Sequence, residues 1–474
     1  YPNVKVYGTN DKKMPLLRIN PFSFPKDIHV LEHIDRLIEI FNVCWPMYAA
    51  MPAVLKDAIE RAYILSGWNL ATSECSYVKE MPLYPSFIDV QQQINVVMEE
   101  SAYSSDTGGD YKGALCTRLK SLTNGLYRQI FTSDELCVEE LFESNVIIDL
   151  SRTGSSETKA LIMGLLVMKL QEYRMSNTGK GNEPLKHVTV LEEAHNILKR
   201  TSTEQFGESA NLLGKSVEML ANSIAEMRTF GEGFVIADQA PGLMDLSVIR
   251  NTNTKIILRL PDLQDRELVG RAAGLNEDQI LELSRIKTFV AAVYQNDWLE
   301  PVLCKIDTNF REVPEFHYEK RKADNREKYR ILEYVLLPID KRKKLDGKYV
   351  AGLINEVQKL QIPAEVKIAF LEYAKTADDT VIERLREKIV YHIFDSEEAF
   401  CFAKGKEENI AFWRNCLLER LEPDITILPE YAQNQILALL AKEKAQFDGK
   451  KESVSFFERL MDYIEEGKRH GIIR

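Results

Sequence analysis

The alternation of short β-branched segments with helical segments between residues 146 and 293 most constrains the fold of this chain. The strand-like segments comprise residues 146–150, 188–191, 234–237, 255–258 and 289–293. Apolar residues at helical spacing fill the intervals, at residues 157–174, 209–229 and 263–273. Uninterrupted apolar runs of this length suit the strands of a parallel sheet that is covered on both faces. The pattern therefore predicts an α/β fold with a largely parallel sheet and helices on both faces.

Two further regions are helical in pattern. Residues from about 27 to 131 carry amphipathic runs that interrupt the sheet pattern, which predicts a helical insertion. Residues 309–474 are highly charged and carry helical runs separated by prolines, which predicts an all-α C-terminal module. We therefore expect a core domain over residues 1–308, with its insertion at about 27–131, and a helical accessory domain over residues 309–474.

Composition limits the class of protein. The 474 residues carry a net charge of −11, which argues against a surface that is coated with nucleic acid. This net charge does not exclude a ring that contacts DNA through a few pore loops, because the charge of its channel can differ in sign from the charge of its whole surface. The chain contains no run of 18 apolar residues, so no transmembrane segment is expected. Seven cysteines without C-x-x-C spacing indicate reduced thiols and a cytoplasmic protein.

Two consecutive acids end one of the predicted strands. Residues 187–195 read HVTVLEEAH, so Glu192 and Glu193 follow the apolar run directly. At the carboxyl end of a strand, where ligands bind open α/β sheets, the first carboxylate can hold a Mg²⁺ shell. The second can orient and deprotonate an attacking water. Taken alone, the pair slightly favours a solvated turn over a nucleotide site.

The neighbouring strand ends in a polar amide. Residues 236–241 read IADQAP, so Gln239 follows the predicted strand 234–237. An amide at that position can sense a γ-phosphate or hold the attacking water. Gln239 therefore joins the two acids as a candidate site residue.

These motifs, in this order, resemble the FtsK/HerA branch of P-loop ATPases, which includes type IV secretion ATPases and conjugative coupling proteins. The resemblance covers about residues 15–307. The matching segments are PLLRINPF at 15–22, LEEAH at 191–195, RTFG at 228–231, DQAP at 238–241, Asn251 and RL at 259–260. The resemblance implies a RecA-like sheet that binds ATP and Mg²⁺.

The resemblance also assigns roles to the residues at the strand ends. Glu192 would help hold Mg²⁺ through water, and Glu193 would polarise the attacking water. Gln239 would be the strand-tip sensor. His195 would either orient its neighbours or serve as a polar residue at a helix start.

Two arginines are implied as fingers that reach the nucleotide of a neighbouring subunit. Arg228 is one, although a solvated cation at a helix end that stops at Gly231 explains it equally well. Arg259 is the other, and its alternative is an ion pair with Asp262 or Asp265. Both assignments require a ring, because a finger acts on the site of another subunit.

The phosphate-binding loop of the family has no match in this sequence. Gly214-Lys215-Ser216 ends like the G-x-x-x-x-G-K-[ST] pattern, but Ser209 occupies the first glycine position. No strand precedes it, and residues 211–227 have helical spacing. We therefore expect the loop to lie upstream of Tyr1 and this chain alone to be inactive as an ATPase.

The implied function is an ATP-hydrolysing ring motor, a homo-hexamer that translocates or processes double-stranded DNA. A partner nuclease or another effector protein would place it in DNA processing or phage defence. Two alternatives remain open at this point: a nucleotide-dependent scaffold ring that organises a partner enzyme, and a secretion or conjugation ATPase.

Two minor patterns carry structural expectations. His29 and His33 are four residues apart, which can suit a metal, but without acidic or thiol partners a surface pair is favoured. The basic residues at 341–344 are interpreted as a solvated helix face.

Overall fold

The computed structural model describes most of the chain. The described residues are 3–77, 82–177, 181–200, 208–307, 316–320, 326–342, 344–376, 378–394, 396–403, 409–421, 428–448 and 451–469. The predicted domain boundary at residues 308 and 309 lies outside them, as do Gly179 and Lys180.

The strands form short parallel and antiparallel groups. They are β1 (Lys5–Gly8), β2 (Trp68–Asn69), β3 (Glu74–Cys75), β4 (Val146–Asp149), β5 (His187–Glu192), β6 (Glu232–Ala237), β7 (Thr254–Ile257), β8 (Val290–Gln295) and β9 (Val302–Lys305). β1 pairs with β4 and β5 pairs with β6, both parallel, whereas β7, β8 and β9 form an antiparallel sheet. The mixed α/β class with parallel strands is confirmed, and the antiparallel pairing of the last three strands was not predicted.

Helices make up most of the remaining described residues. Those that precede β8 are α1 (Val30–Cys44), α2 (Met51–Leu65), α3 (Phe87–Glu100), α4 (Ser105–Leu122), α5 (Gly125–Ile130), α6 (Val138–Phe142), α7 (Ser156–Asn177), α8 (Glu208–Glu226), α9 (Leu246–Asn251), α10 (Leu263–Ala272) and α11 (Glu277–Glu282). The C-terminal helices are α12 (Arg326–Leu336), α13 (Ile339–Arg342), α14 (Gly347–Lys359), α15 (Ala364–Lys375), α16 (Asp379–Ile393), α17 (Ser396–Ala403), α18 (Ile410–Leu421), α19 (Glu430–Asp448) and α20 (Lys451–Arg469).

The strand pair β5–β6 is buried on one face. Phe234 and Ile236 pack against the main hydrophobic core, together with the helices α1, α7 and α8. On the opposite face Val188, Val190 and Val235 are exposed. Among the described residues, helices therefore cover only one face of this pair.

A buried ionic group lies where α1 meets α7. His33 is fully buried, and its Nδ1 lies 2.9 Å from Oε1 of Glu172. Arg36 approaches the same carboxylate at 3.5 Å. The predicted surface pair of histidines is therefore wrong, because His33 pairs with an acid 139 residues away and His29 caps the start of α1.

The C-terminal helices enclose a second hydrophobic core, which includes Trp413. Arg342 is buried against it, with its guanidinium 4.1 Å from the ring centre of Tyr373 and Nη1 donating to the Tyr373 carbonyl at 3.1 Å. The interpretation of residues 341–344 as a solvated face is therefore wrong at Arg342, because an aromatic ring and a carbonyl satisfy its charge.

The second core docks on the helical insertion through polar contacts. The buried carboxylate of Asp89, in α3, accepts a hydrogen bond from the backbone N–H of Ala364 at 2.8 Å. The buried amine of Lys367 donates to Ser133 at 3.0 Å and to the carbonyl of Gln358 at 2.7 Å. Burial lowers the pKa of Lys367 to about 8.

Candidate functional site

The carboxyl ends of β5 and β6 bring the predicted site residues to one place. The two strands are parallel and in register, with Glu192 opposite Ala237. Their side chains beyond the last paired residues therefore lie at the same edge of the sheet. Ligands bind at this edge in open α/β sheets.

Glu193 adopts an unusual backbone conformation at the end of β5. Its φ is 53° and its ψ is 46°, in the left-handed region that residues with a β-carbon seldom adopt. The Glu193 carbonyl accepts hydrogen bonds from Asn196, at 3.0 Å from its backbone N and at 2.6 Å from Nδ2. These bonds hold a sharp turn into a short 3₁₀ helix, Ala194–Asn196. Such outliers often occur at functional sites.

The structure brings Glu193 and Gln239 together. Nε2 of Gln239 donates to Oε1 of Glu193 at 3.3 Å. The Glu193 side chain is 39% exposed, and both Glu192 and Gln239 are exposed. The carboxylates and the amide are thus accessible to a ligand at this edge.

Asp238 is a site residue that sequence reasoning missed. Its carboxylate is 1% exposed, and Oδ2 accepts hydrogen bonds from the backbone N of His195 at 2.9 Å and from Nδ1 at 2.8 Å. Oδ1 accepts from the backbone N of Ala240 at 2.9 Å. The other ring nitrogen of His195, Nε2, lies 3.7 Å from Oε2 of Glu193. The position of Asp238, directly after β6, was the available signal.

Arg228 does not join this group within one chain. Arg228 lies in a 3₁₀ helix, Met227–Phe230, before the start of β6, whereas Gln239 follows the end of that strand. The six residues of β6 separate them by on the order of 20 Å. Gly231 ends the 3₁₀ helix with a φ of 81°, as the alternative interpretation of Arg228 requires.

Arg259 lies beyond the end of β7, and its Nε donates to the carbonyl of Ser284 at 3.1 Å. Asp262 caps α10, and Asp265 accepts from the backbone N of Gly242. The guanidinium of Arg259 thus meets a backbone carbonyl, and both acids accept hydrogen bonds from backbone N–H groups.

The sequence Gly214-Lys215-Ser216 lies inside α8, as predicted. Ser216 is buried and donates to the carboxylate of Glu39 in α1. A helical interior leaves no free backbone N–H groups for a phosphate, so this segment is not a phosphate-binding loop.

A second set of ion pairs fixes the other end of the strand pair. The buried carboxylate of Glu232, at the start of β6, lies 2.9 Å from Nε of Arg174 and 2.8 Å from Nδ1 of His187. Thr189 donates to it at 2.7 Å. Burial alone would raise the pKa of Glu232, but the hydrogen bonds from His187, Thr189 and Arg174 outweigh burial and lower it.

Two features are absent from the described residues. No group of three or more His, Cys, Asp or Glu side chains in these ranges is arranged to hold a metal ion. In the same ranges, every helix is too short or too polar to cross a bilayer. The seven cysteines lie in these ranges, and none of them forms a disulfide there.

Sequence comparison finds relatives among DNA helicases. A DNA double-strand break repair helicase HerA of Sulfurisphaera tokodaii is 28% identical over 164 residues, covering 34% of this chain and 31% of that protein. The HerA of Sulfolobus acidocaldarius is 27% identical with the same coverage. Over this stretch the chain is similar to HerA helicases. The predicted family resemblance is thereby confirmed, over a match that spans about a third of each relative.

Comparison with solved structures finds two neighbours of low similarity. VirB4 of Thermoanaerobacter pseudethanolicus has a TM-score of 0.46 and 15% identity, covering 64% of this chain and 76% of that one. The bacterial conjugative coupling protein TrwB has a TM-score of 0.42 and 8% identity, covering 65% and 75%. No family model matches the chain.

Proposed function

We propose that the protein is an ATP-hydrolysing motor that moves along or processes double-stranded DNA. One observation carries the proposal: the Glu193 carboxylate lies between the tips of two parallel strands, 3.3 Å from the Gln239 amide. An accessible carboxylate beside an amide suits the orientation and deprotonation of an attacking water. The relationship to proteins named as DNA break repair helicases supports DNA as the substrate.

The residues present fit the metal and water side of a nucleotide site. Mg²⁺ commonly binds one or two carboxylates together with substrate phosphates, so it needs no cage made of protein groups alone. Glu192 is exposed at the end of β5 and would hold Mg²⁺ through water. Bound Mg·ATP would supply an electrophilic γ-phosphoryl group. Glu193 would take the proton of the water, and Gln239 would hold that water or contact the phosphate.

The arginines support an assembly in which subunits complete one another's sites. Arg228 is exposed and lies at the opposite end of β6 from Gln239. It can reach a nucleotide only across a subunit boundary, as can Arg259 if it acts as a finger. We therefore propose a homo-hexameric ring, in the cytoplasm, that works with a partner nuclease or another effector in DNA processing or phage defence.

The test is ATP hydrolysis by the full-length gene product, measured with and without double-stranded DNA. We expect DNA to stimulate hydrolysis and ATP to drive displacement of a third strand from a DNA triplex. Hydrolysis at the same rate with and without DNA would favour a scaffold ring over a motor. Absence of hydrolysis under both conditions would reject the proposed function.

A further inference from the structure

The tip of β6 reaches both oxygens of one carboxylate at the end of β5. Gln239 donates directly to Oε1 of Glu193. Asp238, the residue before it, holds the imidazole of His195, whose Nε2 faces Oε2 of Glu193 at 3.7 Å. Two consecutive residues of one strand tip therefore set the surroundings of the whole carboxylate.

Asp238 can fix the ring because its own position is fixed. It is almost fully buried, and three N–H groups donate to it, two of them from His195 itself. Since the backbone N and Nδ1 of His195 bind the same oxygen, the ring has little freedom to turn. Hydrogen bonds to an ionised acceptor are stronger than those between neutral groups.

We propose that Asp238 and His195 are positioning residues for Glu193, so that the tip of β6 sets the direction of its carboxylate. This inference rests on the proposed role of Glu193 toward water. The separation of 3.7 Å exceeds hydrogen-bond length. Contacts of this kind often tighten when substrate binds.

The chain contains a matched control at the other end of the same strands. His187 also places Nδ1 against a buried carboxylate, that of Glu232, at 2.8 Å. It shares the chemistry of the His195 pair but lies at the start of β5. If a histidine substitution lowered activity only by weakening the strands, the same substitution at His195 and at His187 would lower activity by the same factor.

The kinetic test separates the two ring nitrogens. His195→Asn keeps an amide near the position of Nδ1 and loses Nε2, whereas His195→Gln places its amide near Nε2. We expect His195→Asn to lower kcat for ATP by about tenfold to hundredfold, with KM within about twofold. His195→Gln should recover most of the rate, and His187→Asn should leave it nearly unchanged. Equal losses in His195→Asn and His187→Asn would overturn the proposal.

A second test needs no hydrolysis. In protein labelled with ¹⁵N-histidine, Glu193→Gln should shift the Nε2 resonance of His195, and Asp238→Asn should shift its Nδ1 resonance. The resonances of His187 should stay in place. If Glu193→Gln leaves the His195 resonances unchanged, the positioning contact is absent, even if the wild-type protein hydrolyses ATP. If the shifts occur but the wild-type protein hydrolyses no ATP, the contact is present and the proposed function is wrong.

Discussion

Gln239 and Glu193 are 46 residues apart in the chain, yet Nε2 of one lies 3.3 Å from Oε1 of the other. Parallel pairing of β5 with β6 produces this contact, because it aligns the carboxyl ends of the two strands. The crossover through α8 returns the chain to the same edge of the sheet.

The contact predicts the effect of a charge at the strand tip. Gln239→Glu places a second carboxylate beside Glu193, and like charges this close disfavour ionisation of both. We expect ATP hydrolysis by the full-length product to fall by about tenfold to hundredfold. Gln264→Glu, at an exposed position of α10, is the matched control and should keep the normal rate. Equal rates for the two variants would show that Gln239 has no part in the reaction.

The helical placement of Lys215 makes a prediction about nucleotide binding. Lys215 is exposed on α8, whereas the lysine of a phosphate-binding loop contacts the nucleotide. Lys215→Ala should therefore leave the Kd of the full-length product for ATP within about twofold. A Kd raised tenfold or more, which is a loss of about 1.4 kcal/mol in binding free energy, would make this segment a candidate phosphate-binding loop again.

The pair of Glu232 with Arg174 predicts a large loss of stability on substitution. Glu232→Gln removes the buried one of the two carboxylates that pair with the Arg174 guanidinium, and breaking a buried pair costs about 3–5 kcal/mol. Glu143 pairs with the same arginine from a half-exposed position, so Glu143→Gln should cost less than about 1 kcal/mol. Urea unfolding at neutral pH measures both, and similar losses would contradict the account.

The lowered pKa of Glu232 also sets a pH dependence. A carboxyl group whose pKa is lower in the folded state stabilises the fold above its unfolded pKa and loses that contribution as the pH falls through the folded value. The gap in stability between wild type and Glu232→Gln should therefore narrow on acidification. A gap that stays constant down to acid unfolding would contradict the assignment.

Lys367 predicts a pH dependence of the same sign on the alkaline side. Its pKa is lowered to about 8 by burial, so between about pH 8 and 10.5 the unfolded state binds more protons than the folded state. Stability therefore rises with pH in this window, by about 3 kcal/mol at about 1.4 kcal/mol per unit. The gain in stability should appear in wild type but not in Lys367→Met when urea unfolding of both is measured at about pH 8 and at about pH 10.5. A difference that does not change with pH would show that Lys367 keeps an ordinary pKa.

The sequence was informative where the signal is local. The β-branched runs located β4 to β8, and the acids and amide after β5 and β6 predicted Glu193 and Gln239 at one edge. It was uninformative where the partner is distant. Arg342 meets Tyr373 31 residues later, and Asp238 meets His195 43 residues earlier. No periodicity encodes such pairs, since the tertiary fold alone brings them together.

The most direct measurement for the central claim compares ATP hydrolysis by Glu193→Gln and Glu458→Gln in the full-length product, with double-stranded DNA present. Glu458 is an exposed acid of α20, so the same substitution there controls for the loss of one charge. The account predicts that Glu193→Gln lowers kcat by about a hundredfold or more and that Glu458→Gln keeps the wild-type rate. Hydrolysis at the wild-type rate in Glu193→Gln would contradict it.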